Sequence, residues 1–189
     1  RVVNRVVATP NGHASSQDLQ LFADSVDLRV RNNELERAMA WGKTRARAIS
    51  PDRDILADSI DALLPNQRIH QIRSVGNAYA TSIPDSATMA TSDRDWMRGD
   101  TLVATFDSTA RTDSAHTPPI KTITARNHAR AYYHVKNATE KARPGVNYVT
   151  GKDIDIIFLN GVVNTIKVRD KTSGVYVEAV DTTVKAKPK

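Results

Sequence analysis

Few side chains in this 189-residue chain are of a kind and spacing that could do chemistry. The five histidines stand at positions 13, 70, 116, 128 and 134. His128 and His134 are six apart, an even spacing that would place them on one face of a strand. A zinc site needs a third protein ligand, and none is spaced to supply it, so both read as surface residues. Alternate carboxylates at Asp52/Asp54 and Asp93/Asp95 are a pattern that can bind calcium from a loop. Each pair brackets an arginine, Arg53 or Arg94, and aspartate is a common turn residue, so the turn reading is favoured. There is no cysteine, which removes disulfides, thiolate metal sites and thiol nucleophiles together. No Gly-rich phosphate loop, His-Glu-x-x-His or Gly-x-Ser-x-Gly occurs. Asn137-Ala138-Thr139 is a glycosylation acceptor sequence, meaningful only with the matching machinery. The expectation is a protein with no catalytic residues, no metal and no cofactor: not an enzyme.

Composition narrows the partners. Hydrophobic residues make up 40% and charged residues 25%, enough for a sizeable core. The net charge is +6, from 27 Lys and Arg against 21 Asp and Glu, which favours anionic partners. The basic residues are scattered, except for Lys185, Lys187 and Lys189. Aromatic residues amount to only 5%, thin for the stacking platforms of single-strand binders, so no nucleic-acid partner is expected. No apolar run approaches the roughly 20 residues that span a bilayer. The longest, Ile154 to Leu159, is interrupted by Asp155 and is strand-sized. The chain opens at Arg1 without Met, as a mature secreted product or a piece of a longer protein would.

Stronger information lies in a repeat. Four ungapped segments share one rule: Leu21 to Val30, Ile55 to Leu64, Met97 to Phe106 and Val149 to Phe158. The rule is apolar, any, Ala or Gly, usually Asp, any, then apolar at three alternate positions. The later copies begin 34, 42 and 52 residues after the one before. Three copies are followed by a turn, at Asn32-Asn33, Pro65-Asn66 or Asn160-Gly161; in the third, Ser108 to Pro119 reads as a longer loop. A second apolar set then follows in each: Leu35 and Ala38, Ile69 and Ile72, Ile120 and Ile123, Val163 and Ile166. Small-residue tails close the first three, as in Gly76-Asn77-Ala78-Tyr79-Ala80. Alternation puts Val26, Leu28 and Val30 on one strand face and Asp27 and Arg29 on the other. Ala or Gly before the Asp predicts a bend or close backbone approach. Leu35 to Trp41 has helical propensity, but its register matches the strand-like Ile69 to Val75, so a strand is predicted. The fold class is therefore all-β: repeated antiparallel strand pairs forming an open roll, because a sheet apolar on one face must fold over on itself.

These elements resemble the OstA/LptA-type family of lipopolysaccharide-transport proteins. The resemblance rests on the strand openings Ala57-Asp58-Ser59-Ile60 and Gly99-Asp100-Thr101-Leu102, the Ile-x-x-Ile returns at Ile69/Ile72 and Ile120/Ile123, and the Gly76-x-Ala78-x-Ala80 tail. It covers roughly residues 19–180, and the long third loop and the altered fourth tail (Asp170 to Gly174) depart from it. It implies an open β-jellyroll, or "β-taco", that holds acyl chains of lipopolysaccharide inside and stacks edge to edge with other β-jellyroll proteins or with itself. Residues 1–18 would be the end of a preceding repeat or an extension, 19–180 one domain of about four copies, and 181–189 a basic tail. The implied lipid-binding interior is Val26, Leu28, Val30, Ile60, Leu64, Ile69, Ile72, Leu102, Phe106, Ile120, Ile123, Ile154, Ile156, Phe158, Val163 and Ile166. Arg45, Arg47, Arg68, Arg73, Arg126 and Arg130 are rim candidates for lipid phosphates, each also a plain solvated strand residue. The expected function is non-enzymatic, periplasmic lipid binding in lipopolysaccharide transport. The alternative is a fibre-forming or surface protein, on the cell surface or in an extracellular filament, assembled by the same stacking. Interior volume separates the two: Ala38, Ala40, Ala62 and Ala104 leave room, whereas Ile72, Phe106 and Phe158 fill it.

Overall fold

The computed structural model describes residues 3–15, 19–84, 89, 91–107, 118–135, 144–159 and 162–178. Twelve strands form one antiparallel sheet: β1 (Arg5–Ala8), β2 (Gly12–Ser15), β3 (Gln20–Ala23), β4 (Ser25–Arg31), β5 (Glu34–Ile49), β6 (Arg53–Leu63), β7 (Gln71–Ser82), β8 (Asp95–Phe106), β9 (Ile120–Val135), β10 (Gly145–Leu159), β11 (Val162–Arg169) and β12 (Ser173–Val177). Their order is β1-β4-β5-β6-β7-β8-β9-β10-β11, with β2 on β3, β3 on β5 and β12 on β10. There is no α-helix among the described residues. Leu35 to Trp41 lies within β5, where tertiary pairing overrides its helical propensity.

The long strands bend near their middles. Ladder register shifts between Trp41 and Ala46, Leu56 and Ser59, Val75 and Ala78, Arg98 and Thr101, and Gly151 and Asp153. A bulge inserts residues on one strand and sharpens its twist, so a row of aligned bulges folds the sheet into two arms. One arm holds β1, β4 and β11; the other holds β2, β3 and β12; β5 to β10 cross both.

The predicted close approach before the aspartates is where the sheet folds. The register sets Gly12 opposite Ala23, Ala46 opposite Ala57, Ala78 opposite Gly99, and Ala129 opposite Gly151. The four alanines in the middle of this row, at 46, 57, 78 and 129, are completely or almost completely buried. Side chains of this size let the two arms come together at the fold. The aspartate that follows reaches across to the bend of a neighbouring strand. Asp24 accepts hydrogen bonds from the Lys43 and Thr44 amides (2.5 and 3.0 Å) and from the Thr44 hydroxyl. The bond from the Thr44 hydroxyl is the largest cause holding its carboxyl below the ordinary carboxylate range. Asp153 accepts from the Asn127 amide at 3.2 Å, and Asp100 meets His128 Nδ1 at 3.0 Å. Gly76 has φ +84°, and a Cβ there would overlap the Asp58 carboxylate.

Between strands, Asn32 and Asn33 both take positive φ (49° and 65°), as a tight hairpin requires. Pro65–Gln67 forms a single 3-10 turn with Asn66 at φ 54°. The expected Asn160-Gly161 turn, most of the Ser108 to Pro119 loop, the Asn137 sequon and the basic tail lie outside the described residues.

Candidate lipid-binding face

Alternation along the bent strands sends one set of side chains inward. Across the first arm, the inner row beside the fold reads Val26, Ala40, Ile60, Ser74, Leu102, Ala125, Ile154, Val168, each opposite the next. Large and small residues alternate along it until Val168. The second arm repeats the device with Leu21, Ala48, Ile55, Ala80, Met97, Ala131, Val149 and Gly174. Rows of this kind interdigitate when two sheet faces pack at roughly 10 Å. Ala40 and Ile154 are both 0% exposed, and the apolar side chains form one continuous buried cluster. Of the four alanines expected to leave room, Ala38, Ala40 and Ala62 are buried within this cluster, and Ala104 packs partly buried against it.

The expected interior residues fall into place unevenly. Val26, Ile60, Leu64, Ile72, Leu102, Phe106, Ile154 and Ile156 are buried. Leu28, Ile69, Ile120, Ile123, Phe158 and Ile166 pack partly buried against them. Val30 is half-buried and lines a concavity of about 540 Å³ with Asn4, Arg29, Arg31 and Met39. Val163 is 40% exposed, on β11 at the edge of the sheet, with no further strand beside it among the described residues.

Where the arms meet opposite the fold, the inner face carries a charge that the sequence pattern did not single out. Arg53 starts β6 in the second arm, Phe106 ends β8 in the first, and the guanidinium carbon lies 6.0 Å from the ring centroid. A cation over a ring face is attracted by its quadrupole. This contact bridges the two arms at the mouth of the roll.

At least three of the six rim arginines are already engaged. Arg47 pairs with Asp54, Arg126 with Asp153 and Asp155, and Arg45 donates to the carbonyls of Leu56 and Asn77. Arg73 and Arg130 have no carboxylate partner among the described residues. At the first edge, Asp27 has a side chain only 2% exposed and receives Arg5 (2.7 Å) and Arg29 (3.1 Å). The Arg5 hydrogen bond, ahead of both charges, holds its carboxyl below the ordinary range.

Among the described residues, no group of three or more His, Asp or Glu is placed to hold a metal ion. His128 is exposed, as expected, but His134 is buried, which corrects the surface reading. Its Nδ1 lies 2.7 Å from Asp95, and its Nε2 lies 3.4 Å from the Thr91 hydroxyl, in the segment that precedes β8. Asp52 accepts from the Ser50 hydroxyl and Asp54 from Arg47, so both serve turn and strand contacts.

Both ends of the sheet expose apolar residues: Val3, Val6 and Val7 at one edge, Leu159, Val163, Val175, Tyr176 and Val177 at the other. Open edges of this kind are templates for pairing with another chain.

No family model and no curated protein matches the chain. Among solved structures, it is similar to LptH from Pseudomonas aeruginosa, described as the LptA-homologous periplasmic component of the lipopolysaccharide transport device. The TM-score is 0.53 at 14% identity, over 84% of this chain and 94% of that one. The shared feature is the fold, an LptA-like β-jellyroll.

Proposed function

We propose that this chain is a non-enzymatic, periplasmic lipid-binding protein of lipopolysaccharide transport, and that residues 19–180 act as one OstA-like domain. The observation that carries this reading is a continuous apolar inner face running the length of an open sheet, in a fold shared with LptH. Acyl chains would lie along the rows that include Ile60, Leu102, Ile154 and Ile156 and leave through the mouth lined by Leu64, Phe106 and Phe158. The inner face is closed on itself, so loading requires the arms to part at the Arg53–Phe106 contact. The exposed valines of the two edges support stacking with other β-jellyroll proteins or with itself.

Native mass spectrometry of protein purified from a lipopolysaccharide-producing host tests this. The expected result is a stoichiometric lipid A-sized adduct, lost on Leu64→Asp or Phe106→Asp. Lipid-free protein appearing as an open ladder of oligomers would overturn the carrier reading in favour of the fibre, whose closed, self-filled interior is the feature that favours that second reading.

A further inference from the structure

The outer face of the second arm carries two facing arginines that no carboxylate among the described residues engages. Arg5, Arg29, Arg37, Arg126 and Arg169 of the first arm and Arg47 of the second are each bonded to an aspartate, and Arg73 of the first arm has no such partner among the described residues. On the second arm, Arg98 and Arg130 stand directly opposite each other on β8 and β9, both exposed. Neither has a carboxylate partner among the described residues. Like charges facing each other across a ladder are destabilising, and no carboxylate among the described residues offsets this pair. Beside them lies a ring cluster centred on Trp96. Tyr132 stacks on it at 6.0 Å and 7°, and Tyr79 and Tyr148 approach at 6.1 Å each. Of the chain's two Trp, five Tyr and three Phe, four therefore gather at one patch, all half-buried.

We propose that this outer face binds the phosphorylated saccharide portion of lipopolysaccharide. The paired guanidiniums take a phosphate, for which their planar donors are matched. The Trp96 cluster supplies apolar ring faces against which a sugar ring packs. The inference rests on the lipopolysaccharide reading for the source of the saccharide, and not on whether acyl chains enter the roll.

Calorimetric titration of the full chain with the deacylated, phosphate-bearing saccharide of lipopolysaccharide tests it. Binding is expected to weaken at least about tenfold on Arg98→Ser with Arg130→Ser, or on dephosphorylating the probe. Trp96→Leu is expected to weaken it also. The thermal midpoint of the double arginine variant should hold or rise, since a repulsion is removed, whereas a merely structural pair would lower it. An unbound saccharide, affinity unchanged in the arginine variants, or tighter binding of oligothymidylate would each overturn the proposal. Phe106→Asp separates the two ideas: it should abolish loading of intact lipopolysaccharide and leave saccharide binding unchanged.

Discussion

Ile154→Ala probes whether the inner face is a closed core or an open lipid groove. Ile154 is 0% exposed, between Ala125 and Val168 in the ladder. Truncation removes three carbons, worth about 2.4 kcal/mol at roughly 0.8 kcal/mol per methylene. The small residue opposite cannot move in to fill the gap. A residual cavity of about 50 Å³ would add about 1.2 kcal/mol at roughly 24 cal/mol per Å³. The expected cost is thus about 3–4 kcal/mol, a large part of the ~5–15 kcal/mol of a typical domain. In a protein of this length it should lower the thermal midpoint by roughly 6–16 °C. Urea unfolding followed by circular dichroism, on lipid-free protein, measures it through the transition midpoint. A cost below about 1 kcal/mol would refute the closed-core reasoning, because truncation is tolerated only where solvent or lipid already fills the space. Adding lipid to the variant should then restore part of the loss, since a ligand of the native state stabilises by mass action.

Three further outcomes are expected. Gly76→Ala should destabilise by about 1–3 kcal/mol, since it strains a left-handed backbone and crowds Asp58; the urea midpoint reads it. Asp27 contributes stability at pH values above its unfolded pKa of about 3.9, and this is lost as pH falls through its lower folded pKa. Hydrogen exchange of β1 should therefore rise in acid ahead of β8, and in Asp27→Asn that acid dependence should disappear. Replacing Val175 and Val177 with Lys, on the exposed edge strand β12, should shift any self-association seen by analytical ultracentrifugation toward monomer, with stability changed by under about 0.5 kcal/mol per site.

Much of the architecture was legible in local pattern. Period-2 alternation in Val26 to Val30, and its recurrence at Ile60, Leu102 and Ile154, marked strands with one apolar face, since side-chain direction along a strand depends only on parity. The Ala-Asp and Gly-Asp dipeptides marked the fold of the sheet, because close approach selects for small side chains whatever the partner. What tertiary structure alone decided depends on register. A bulge in each long strand offsets its pairing, so nothing local says that Ala125 faces Ile154, or that Ala38, Ala40 and Ala62 become buried instead of leaving space. His134 reads as a surface residue until Asp95 and the Thr91 segment are brought to it. The 5% aromatic content looked too dilute for a platform, yet rings 53 residues apart in sequence, from Tyr79 to Tyr132, share one patch around Trp96 because consecutive antiparallel strands align them. Residue type and parity thus determined which faces are apolar; the bulged register decided which side chains meet across them.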